Sequence, residues 1–548
     1  MQHLDTIIDH FLFYEKTKPT DLFLSEPVNG IYQSFTWSQA GNEVRRMITA
    51  LHKMGFAKGD NISILGKNSA HWILADMAIM MAGFVSVPLY ANNTPDAIKH
   101  VIEHSESKLV FIGKLDDYNK TKKGIPENVI KVSFPFCSKE DCIQWSDLIN
   151  ENEPIQNITL PNDYDLSCIL YTSGTTGNPK GAMHHYYSQA FTMHTVLKEL
   201  KGINSDIFFS YLPLCHVAEK MLVEAGAIYT GSSIYFVESM DTFSKNLADT
   251  QPTIFLAVPR IWEKFQEEIL KKLPQKKLDT LLKIPIISSL IKKTLRKKLG
   301  LSRAKYIFTG ASPIMPSLQY WYLKLGILIQ EAYGMTENLA LSHLNRKENV
   351  IFGSVGQSYN GVEVRLGAED EVQVKSPASM IGYFKDPELT VQCFDDGFLK
   401  TGDKGVIDEN GFLKIVGRIK DQFKTSKGKY VTPAAIESKI AVHPFISQVC
   451  VVGTGLSQPI ALCILSEAAQ KEIKEKIIDS LNGFIKEVNA QLEHYAQLAK
   501  VVILKEEWTV ENGCLTPTLK IKRNNIEKDY SHFFTEWMTN KNNLLFVH

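Results

Sequence analysis

Short apolar runs recur along the chain, among them NISIL (61–65), KLVFIG (108–113) and TIFLAV (253–258), and they alternate with helix-like stretches. An apolar run without polar alternation suits a strand covered on both faces. Strands that alternate with helices build largely parallel sheets with helices in the neighbouring layers. The pattern predicts a layered α/β fold, and 548 residues allow more than one domain. Residues 72–91 are the most membrane-like, but Asp76, Gly83 and Pro88 interrupt them. They read as a buried helix followed by a buried strand, VSVPLY, rather than a span. The first residues carry neither a basic region nor a clean apolar run and do not read as a signal peptide.

From Gly353 the texture changes to short strands separated by turns: GSVGQSYNGVEVRL, EVQVKSP, GFLKTGD and GVIDENGFLKIVGR. Asn410-Gly411 is a hairpin signal, because both residues tolerate positive φ. Beyond Arg418 lie two further strands, VCVVGTG and IALCIL, and one long helical pattern from 467 to about 496. The predicted domains are 1–420 and 421–548, with a hinge near Asp421.

Lys and Arg number 60, as do Asp and Glu, so the net charge is zero. That balance argues against general nucleic-acid binding, which needs a basic excess. One stretch departs from it. Residues 264–305 hold 13 basic and 3 acidic side chains. This is either a solvated helical face or a surface for anionic lipid, with Leu and Ile on the opposite side of a helix. The eight cysteines form no CxxC pair and no metal spacing, which suits reduced, mostly buried thiols in a cytoplasmic protein.

Residues 171–181 read YTSGTTGNPKG and follow a predicted strand. Gly174 and Gly177 allow a tight turn that brings N–H groups near an anion. Thr172, Ser173, Thr175 and Thr176 add hydroxyls, and Lys180 adds positive charge. Together they suit a triphosphate. The loop is not a Walker A motif, because Lys180 follows Pro179 and precedes Gly181.

This loop resembles the signature of the adenylate-forming superfamily of acyl-CoA synthetases, luciferases and peptide-synthetase adenylation domains. The resemblance continues in order through TGASPI (309–314), EAYGMTEN (331–338), GYFKDPELT, GFLKTGD, GRIKD, GKYVTPAAIE (428–437) and LTPTLKIKR (515–523). It implies a large N-terminal multi-layer α/β domain with a distorted β-barrel part, and a small mobile C-terminal α+β domain. It implies ATP, Mg²⁺ and coenzyme A as cofactor and co-substrates, and a carboxylic acid that is first joined to AMP and then passed to a thiol. Tyr333 would stack on adenine, with Gly310, Ala311, Ser312 and Gly334 around the nucleotide. Thr336 would bond the α-phosphate, and Glu337, with Thr175, would hold Mg²⁺. Asp403 would accept from the ribose hydroxyls beside Arg418. Gly428 and Lys429 belong to the thioester-forming segment. Lys520 would be the catalytic cation, bridging carboxylate and phosphate as charge develops.

His216, in LPLCHVAEK (212–220), would border the acyl and phosphate sites. A Cys215/His216/Glu219 nucleophile is rejected, because adjacent residues on an extended segment point opposite ways. His184 and His185 are read as structural. Two residues depart from the family pattern, Tyr186 where a His is common and Lys404 where an apolar residue is common, and both put local packing in question. AVPRIWEKF (257–265) and the motifs around His216, Gly428 and Lys520 are most similar to bacterial long-chain fatty acyl-CoA synthetases. The other readings are a fatty acyl-AMP ligase serving a carrier protein, a ligase for medium-chain or aryl acids, a luciferase-like oxygenase, and a non-catalytic sensor. Peripheral contact with the inner face of a membrane through 264–305 completes the expectations.

Overall fold

The computed structural model describes residues 4–137, 139–172, 179–470, 472–510, 512–516 and 520–547. They form two compact units. The first lies within Met1–Thr172, Pro179–Glu363 and Val374–Leu399, and the second within Val364–Gln373 and Lys400–His548.

Two large sheets build the first unit. The nine-stranded sheet runs in the order Gln357–Ser358, His343–Leu344, Gln330–Tyr333, Tyr306–Thr309, Ile254–Leu256, Ile207–Ser210, Ser233–Phe236, Leu22–Val28, Ile31–Thr36. From Gln330–Tyr333 to Leu22–Val28 the strands are parallel. The eight-stranded sheet runs Gly382–Tyr383, Lys180–His185, Leu166–Thr172, Val85–Leu89, Asn61–Leu65, Leu109–Ile112, Ile130–Ser133, Ile143–Gln144. The predicted strands at 61–65, 108–113 and 253–258 are all present.

Residues 72–91 are the helix and strand that the sequence suggested. Every residue of the helix Ala70–Met81 is buried, and it packs on Asn61–Leu65 and Val85–Leu89 of one sheet and on Leu22–Val28 of the other. Each large aliphatic buried this way contributes ~1.5–3 kcal/mol. Ser69 caps the helix, accepting from the Trp72 N–H at 3.2 Å. Asp76, which broke the apolar stretch, is fully buried and pairs with Lys220 at 2.5 Å and with the Ser86 hydroxyl. Lys220 opens the π-helical turn Lys220–Ala225 and also reaches Glu224 at 3.3 Å. Burial opposes the Lys220 charge, but the two carboxylates raise its pKa above the ordinary value. Among the described residues no helix is long and apolar enough to cross a membrane.

The basic stretch forms three helices, Pro259–Lys272, Gln275–Leu282 and Pro285–Lys298, two of them started by proline in the first turn. Ile261, Trp262, Phe265, Ile269 and Leu278 join a core cluster, and Leu282, Ile291 and Leu295 pack against it. These apolar residues face the protein core, whereas Ile284, Ile286, Ile287 and Leu290 of the same stretch are exposed.

An open five-stranded sheet follows, in the order Glu363–Leu366, Glu371–Lys375, Phe398–Ile407, Phe394–Asp395, with Leu413–Arg418 also on Phe398–Ile407. It supplies the half-barrel part expected from the resemblance. Its hairpin at Asn410-Gly411 has five connecting residues, since Ile407 pairs with Leu413. Gly411 takes a φ of 80°, and the Asp408 carboxylate accepts from the N–H groups of Asn410 and Phe412.

In the second unit a four-stranded sheet, Ile446–Val452, Ile460–Leu465, Lys500–Leu504 and Leu544–Phe546, is covered on both faces. Val449 and Val451 face one apolar cluster with Leu481 and Ile485, while Cys450 and Val452 face another with Ile526 and Trp537. The period-two alternation of a strand therefore reads here as a continuous apolar run. The long helix predicted from 467 is instead a short turn, Glu467–Gln470, and a helix, Lys474–Asn489. The Asn489 side chain ends that helix by bonding the N–H and C=O of Leu498, which folds the chain back.

Candidate active site

The parallel part of the nine-stranded sheet gathers its loops at the carboxyl ends of the strands, where ligands bind in open α/β sheets. Ile207–Ser210 leads into the segment with His216. Tyr306–Thr309 leads into Gly310, Ala311 and Ser312, and Gln330–Tyr333 into Gly334, Thr336 and Glu337. The last two strands are neighbours, with Thr309 opposite Glu331, so their loops lie side by side.

Glycine is required in both loops. A Cβ on Gly310 would stand 2.9 Å from the Ala332 carbonyl oxygen, and one on Gly334 would stand 2.4 Å from the Ala340 carbonyl carbon. Ala311 adopts a left-handed φ of 66°. A non-glycine residue held there costs of order 1 kcal/mol or more, and such strain concentrates at functional loops. Ala311 and Ser312 are exposed, and Tyr333 is half-buried with its ring 6.0 Å from that of His343. Glu331 is buried, which pushes its carboxyl up to about 8 even though the Ile314 backbone N–H favours the ionised form.

The eight-stranded sheet brings its hairpin to the same turn. Thr172 and Lys180 face each other as the stems of the glycine- and threonine-rich loop. Ser173, Gly174, Thr175, Thr176 and Gly177 lie outside the described residues. The strand Gly382–Tyr383 extends this hairpin, with Tyr383 opposite Ala182. Three bonds then reach the turn Thr336–Asn338. The His184 Nε2–H donates to the Thr336 carbonyl at 2.9 Å, the Met380 N–H to the Glu337 carbonyl at 2.7 Å, and the Tyr383 hydroxyl to Glu337 Oε1 at 2.6 Å. Burial, with the Glu337 charge beside it, raises the Tyr383 phenol far above its ordinary value and keeps it a donor. Burial lowers His184 to about 3, so it is neutral. Lys180 Nζ lies 5.7 Å from the centre of the Tyr383 ring, within cation–π range. Lys180 and Glu337 are thus linked through Tyr383, and His184 ties Thr336 to the same hairpin.

His216 caps the short helix Val217–Glu219, its Nδ1 accepting from the Ala218 N–H at 3.3 Å. Burial raises the Cys215 thiol well above its usual range. Glu219 is engaged by the Ser210 hydroxyl and the Tyr211 N–H, each at 2.9 Å, and burial pushes it up to about 8. Burial thus holds Cys215 as a thiol. Tyr186 starts a helix and donates to the Met80 carbonyl at 3.0 Å, which accounts for it in place of the common His.

In the second unit, Asp403 and Arg418 are paired across adjacent strands, with Arg418 Nε 2.8 Å from Asp403 Oδ1. Asp403 is buried in the middle of its strand rather than in a turn. Lys404 forms an ion pair with Asp370 at 3.3 Å. Gly428 takes a φ of 75° at the exposed tip of a small hairpin, and the N–H of Lys429 donates to the Thr425 hydroxyl at 3.2 Å. Lys520 has an exposed side chain, while its backbone is fixed in both directions on Thr516. Its neighbour Arg523 differs. It is buried and grips Glu437 in a two-pronged ion pair at 2.5 and 3.0 Å. The sequence singled out neither Glu331 nor Tyr383. The available signals were a carboxylate within a buried strand and a tyrosine opening GYFKDPELT.

Among the described residues, no group of three or more His, Cys, Asp and Glu is placed to hold a metal alone. Mg²⁺ beside a nucleotide is typically held by one or two carboxylates and shared phosphate oxygens. A single buried carboxylate, Glu337, fits that donor set.

The chain matches the AMP-binding enzyme family over residues 15–384 and the AMP-binding enzyme C-terminal domain over residues 420–539. It is 25% identical to the long-chain-fatty-acid–CoA ligase FadD15 of Mycobacterium bovis, covering 94% of each chain. It is 28% identical to fatty acyl-CoA synthetase A of Dictyostelium discoideum, covering 92% of this chain and 86% of that one. The anthranilate CoA ligase AuaEII in complex with anthranoyl-AMP shares the fold, with a TM-score of 0.80 at 20% identity over 97% of this chain and 98% of that one.

Proposed function

Because the chain belongs to the AMP-binding enzyme family, we propose that it activates a long-chain fatty acid with ATP and transfers the acyl group to the thiol of coenzyme A. A carboxylate resists nucleophiles because of its charge. In the first step its oxygen attacks the α-phosphorus of ATP, an acyl–O–P bond forms, and the bond to pyrophosphate breaks. In the second step a thiolate attacks the acyl carbon and AMP leaves. The observation that carries the reading is the junction of Lys180, Thr336 and Glu337 at the carboxyl ends of the strands. The long-chain acid is suggested by the curated relatives named above.

Within this reading Thr172, Lys180 and the intervening loop bind phosphate oxygens, and Thr336 orients the α-phosphate. Mg²⁺, held by Glu337, would draw charge from the phosphates. Tyr333, Gly310, Ala311, Ser312 and Gly334 line the base, and Asp403 with Arg418 binds the ribose. His216 borders the acyl carboxylate. Lys520 supplies a cation during adenylation, and Gly428 and Lys429 serve thioester formation, with Asp421 as the hinge. We also place the protein in the cytoplasm, with peripheral membrane contact through residues 264–305.

ATP–pyrophosphate exchange across acids of graded chain length, followed by a coenzyme A thioester assay, tests the reading. Exchange should rise with chain length and the adenylate should convert to the thioester. Exchange with short or aryl acids alone would refute the substrate class, and an adenylate that no coenzyme A discharges would refute the acceptor.

A further inference from the structure

We infer that the outward stripe of the helix Pro285–Lys298, with the turn before it, is an edge that inserts into the interface of an anionic lipid surface. The inference deepens the peripheral contact proposed above, and it rests on the long-chain-acid reading for its purpose, since such an acid partitions into bilayers. The inner side of this helix is already satisfied by the protein core through Ile291 and Leu295, with Ser288 buried. A helix docked in this way ordinarily presents polar residues outward. This one does not. Ile286 is 85% and Leu290 66% exposed, and Ile284 and Ile287 beside them are exposed as well.

The helical period places Ile286, Leu290, Lys293 and Lys297 on one stripe, at steps of four, three and four. Its first half is aliphatic and its second half basic. Both lysines are exposed, as are Lys283 and Lys298. Residues 280–305 contain no Asp or Glu. Among the described residues, no carboxylate pairs with Lys283, Lys293, Lys297 or Lys298 (no partner lies within ion-pair distance). Arg296 is excluded from the surface set, because its guanidinium donates to the carbonyls of Gly326 and Leu301.

Anionic headgroups with acyl chains below them match both halves of the stripe. A nucleic acid would satisfy the lysines and leave the aliphatic residues in water. A protein interface is ordinarily anchored by aromatic or arginine side chains, and this exposed stripe of Ile, Leu and Lys provides none.

Co-sedimentation of the full chain with vesicles tests the inference. One set is phosphatidylcholine, and the other contains about one quarter phosphatidylglycerol. The protein should bind the anionic set roughly tenfold better or more, and binding should fall with salt. The double variants Ile286→Asp/Leu290→Asp and Lys293→Glu/Lys297→Glu should each reduce binding to the level seen with neutral vesicles. Thermal unfolding and the far-ultraviolet circular dichroism spectrum serve as the folding controls and should be unchanged. Equal binding to both vesicle sets, no binding, or loss in the lysine pair alone overturns the insertion. A change in oligomeric state in place of vesicle binding assigns the edge to a second copy and overturns it equally. Vesicle binding needs neither ATP nor coenzyme A, so its failure leaves the ligase reading standing, and failure of the ligase assays leaves the vesicle result standing.

Discussion

Tyr383 donates its phenolic hydrogen to Glu337 Oε1 at 2.6 Å, and this bond joins a strand of the eight-stranded sheet to a turn at the carboxyl end of the nine-stranded sheet. Tyr383 is itself fixed, because its N–H donates to the Thr390 hydroxyl at 2.9 Å. The carboxylate proposed to hold Mg²⁺ is therefore aimed by a residue on a different sheet. Hydrogen bonds to charged groups are worth ~1.5–3 kcal/mol. Tyr383→Phe should raise the Mg²⁺ concentration for half-maximal pyrophosphate exchange roughly tenfold or more. Mn²⁺ binding in the presence of ATP, followed by electron paramagnetic resonance, should weaken in parallel. If metal binding is untouched while stability falls, the bond is purely structural.

The basic residues of LTPTLKIKR separate by role. Arg523 is buried against Glu437, and the Glu437 carboxylate also accepts from the Val451 N–H at 2.7 Å. Breaking one side of a buried pair costs ~3–5 kcal/mol, because the remaining charge is stranded. Arg523→Met should destabilise the second unit by that order in urea unfolding. Lys520→Ala, at an exposed side chain, should leave the unfolding midpoint nearly unchanged. Equal losses in the two variants would contradict this division.

Glu331 gives the protein a pH-dependent stability. Its carboxyl is held at about 8 in the fold by burial, above the ordinary value of 4.5. Between these two values the folded state retains a proton that the unfolded state has lost, so stability falls as pH rises through that window. His184, lowered to about 3, acts in the opposite direction, and its contribution is lost as pH falls below 6.5. Glu331→Gln should remove the first effect. The melting temperature of the variant should gain on the parent as pH rises from about 5 to about 8 and level off above. A difference independent of pH would mean that Glu331 is ionised in the fold.

The sequence revealed whatever local pattern determines. The strands at 61–65 and 109–112 and the buried helix Ala70–Met81 were visible because burial on both faces leaves an unbroken apolar run. The end of the last long helix was not visible, because the Asn489 side chain turns the chain by bonding Leu498, nine residues on. The order of motifs singled out Thr336, Glu337 and Lys180, which the fold brings close together. It did not distinguish Arg523 from Lys520, since three basic residues in one short motif look alike until one of them is buried on a partner 86 positions away. Tyr383 was hidden for the same reason, because its bond to Glu337 spans 46 positions. Likewise, the exposed Ile286 and Leu290 could not be told from the core-facing Ile291 and Leu295 by composition.

The proposed division of labour between the half-reactions gives the last prediction. Lys520 and the hairpin with Gly428 both belong to the second unit, yet they are assigned to different steps. If the second unit moves as one rigid body and serves the two steps with these two segments in turn, alternation requires a rotation about the chain near Asp421. Asp421 sits in a turn between Leu413–Arg418 and Phe423–Lys424, and its N–H donates to the Arg418 carbonyl at 3.3 Å. A hinge needs free change in φ, and proline fixes φ near −65° and removes the N–H. Lys520→Ala should lose adenylate formation by a factor of about 100 or more, as expected for a charge placed against the transition state. It should still convert supplied acyl-AMP to the thioester. Asp421→Pro should keep adenylation and lose thioester formation if the locked pose is the adenylating one. Single-turnover measurements of each half-reaction decide the matter. Equal loss of both steps in both variants, with folding intact, would show that one pose serves the whole reaction and that no rotation about Asp421 is needed.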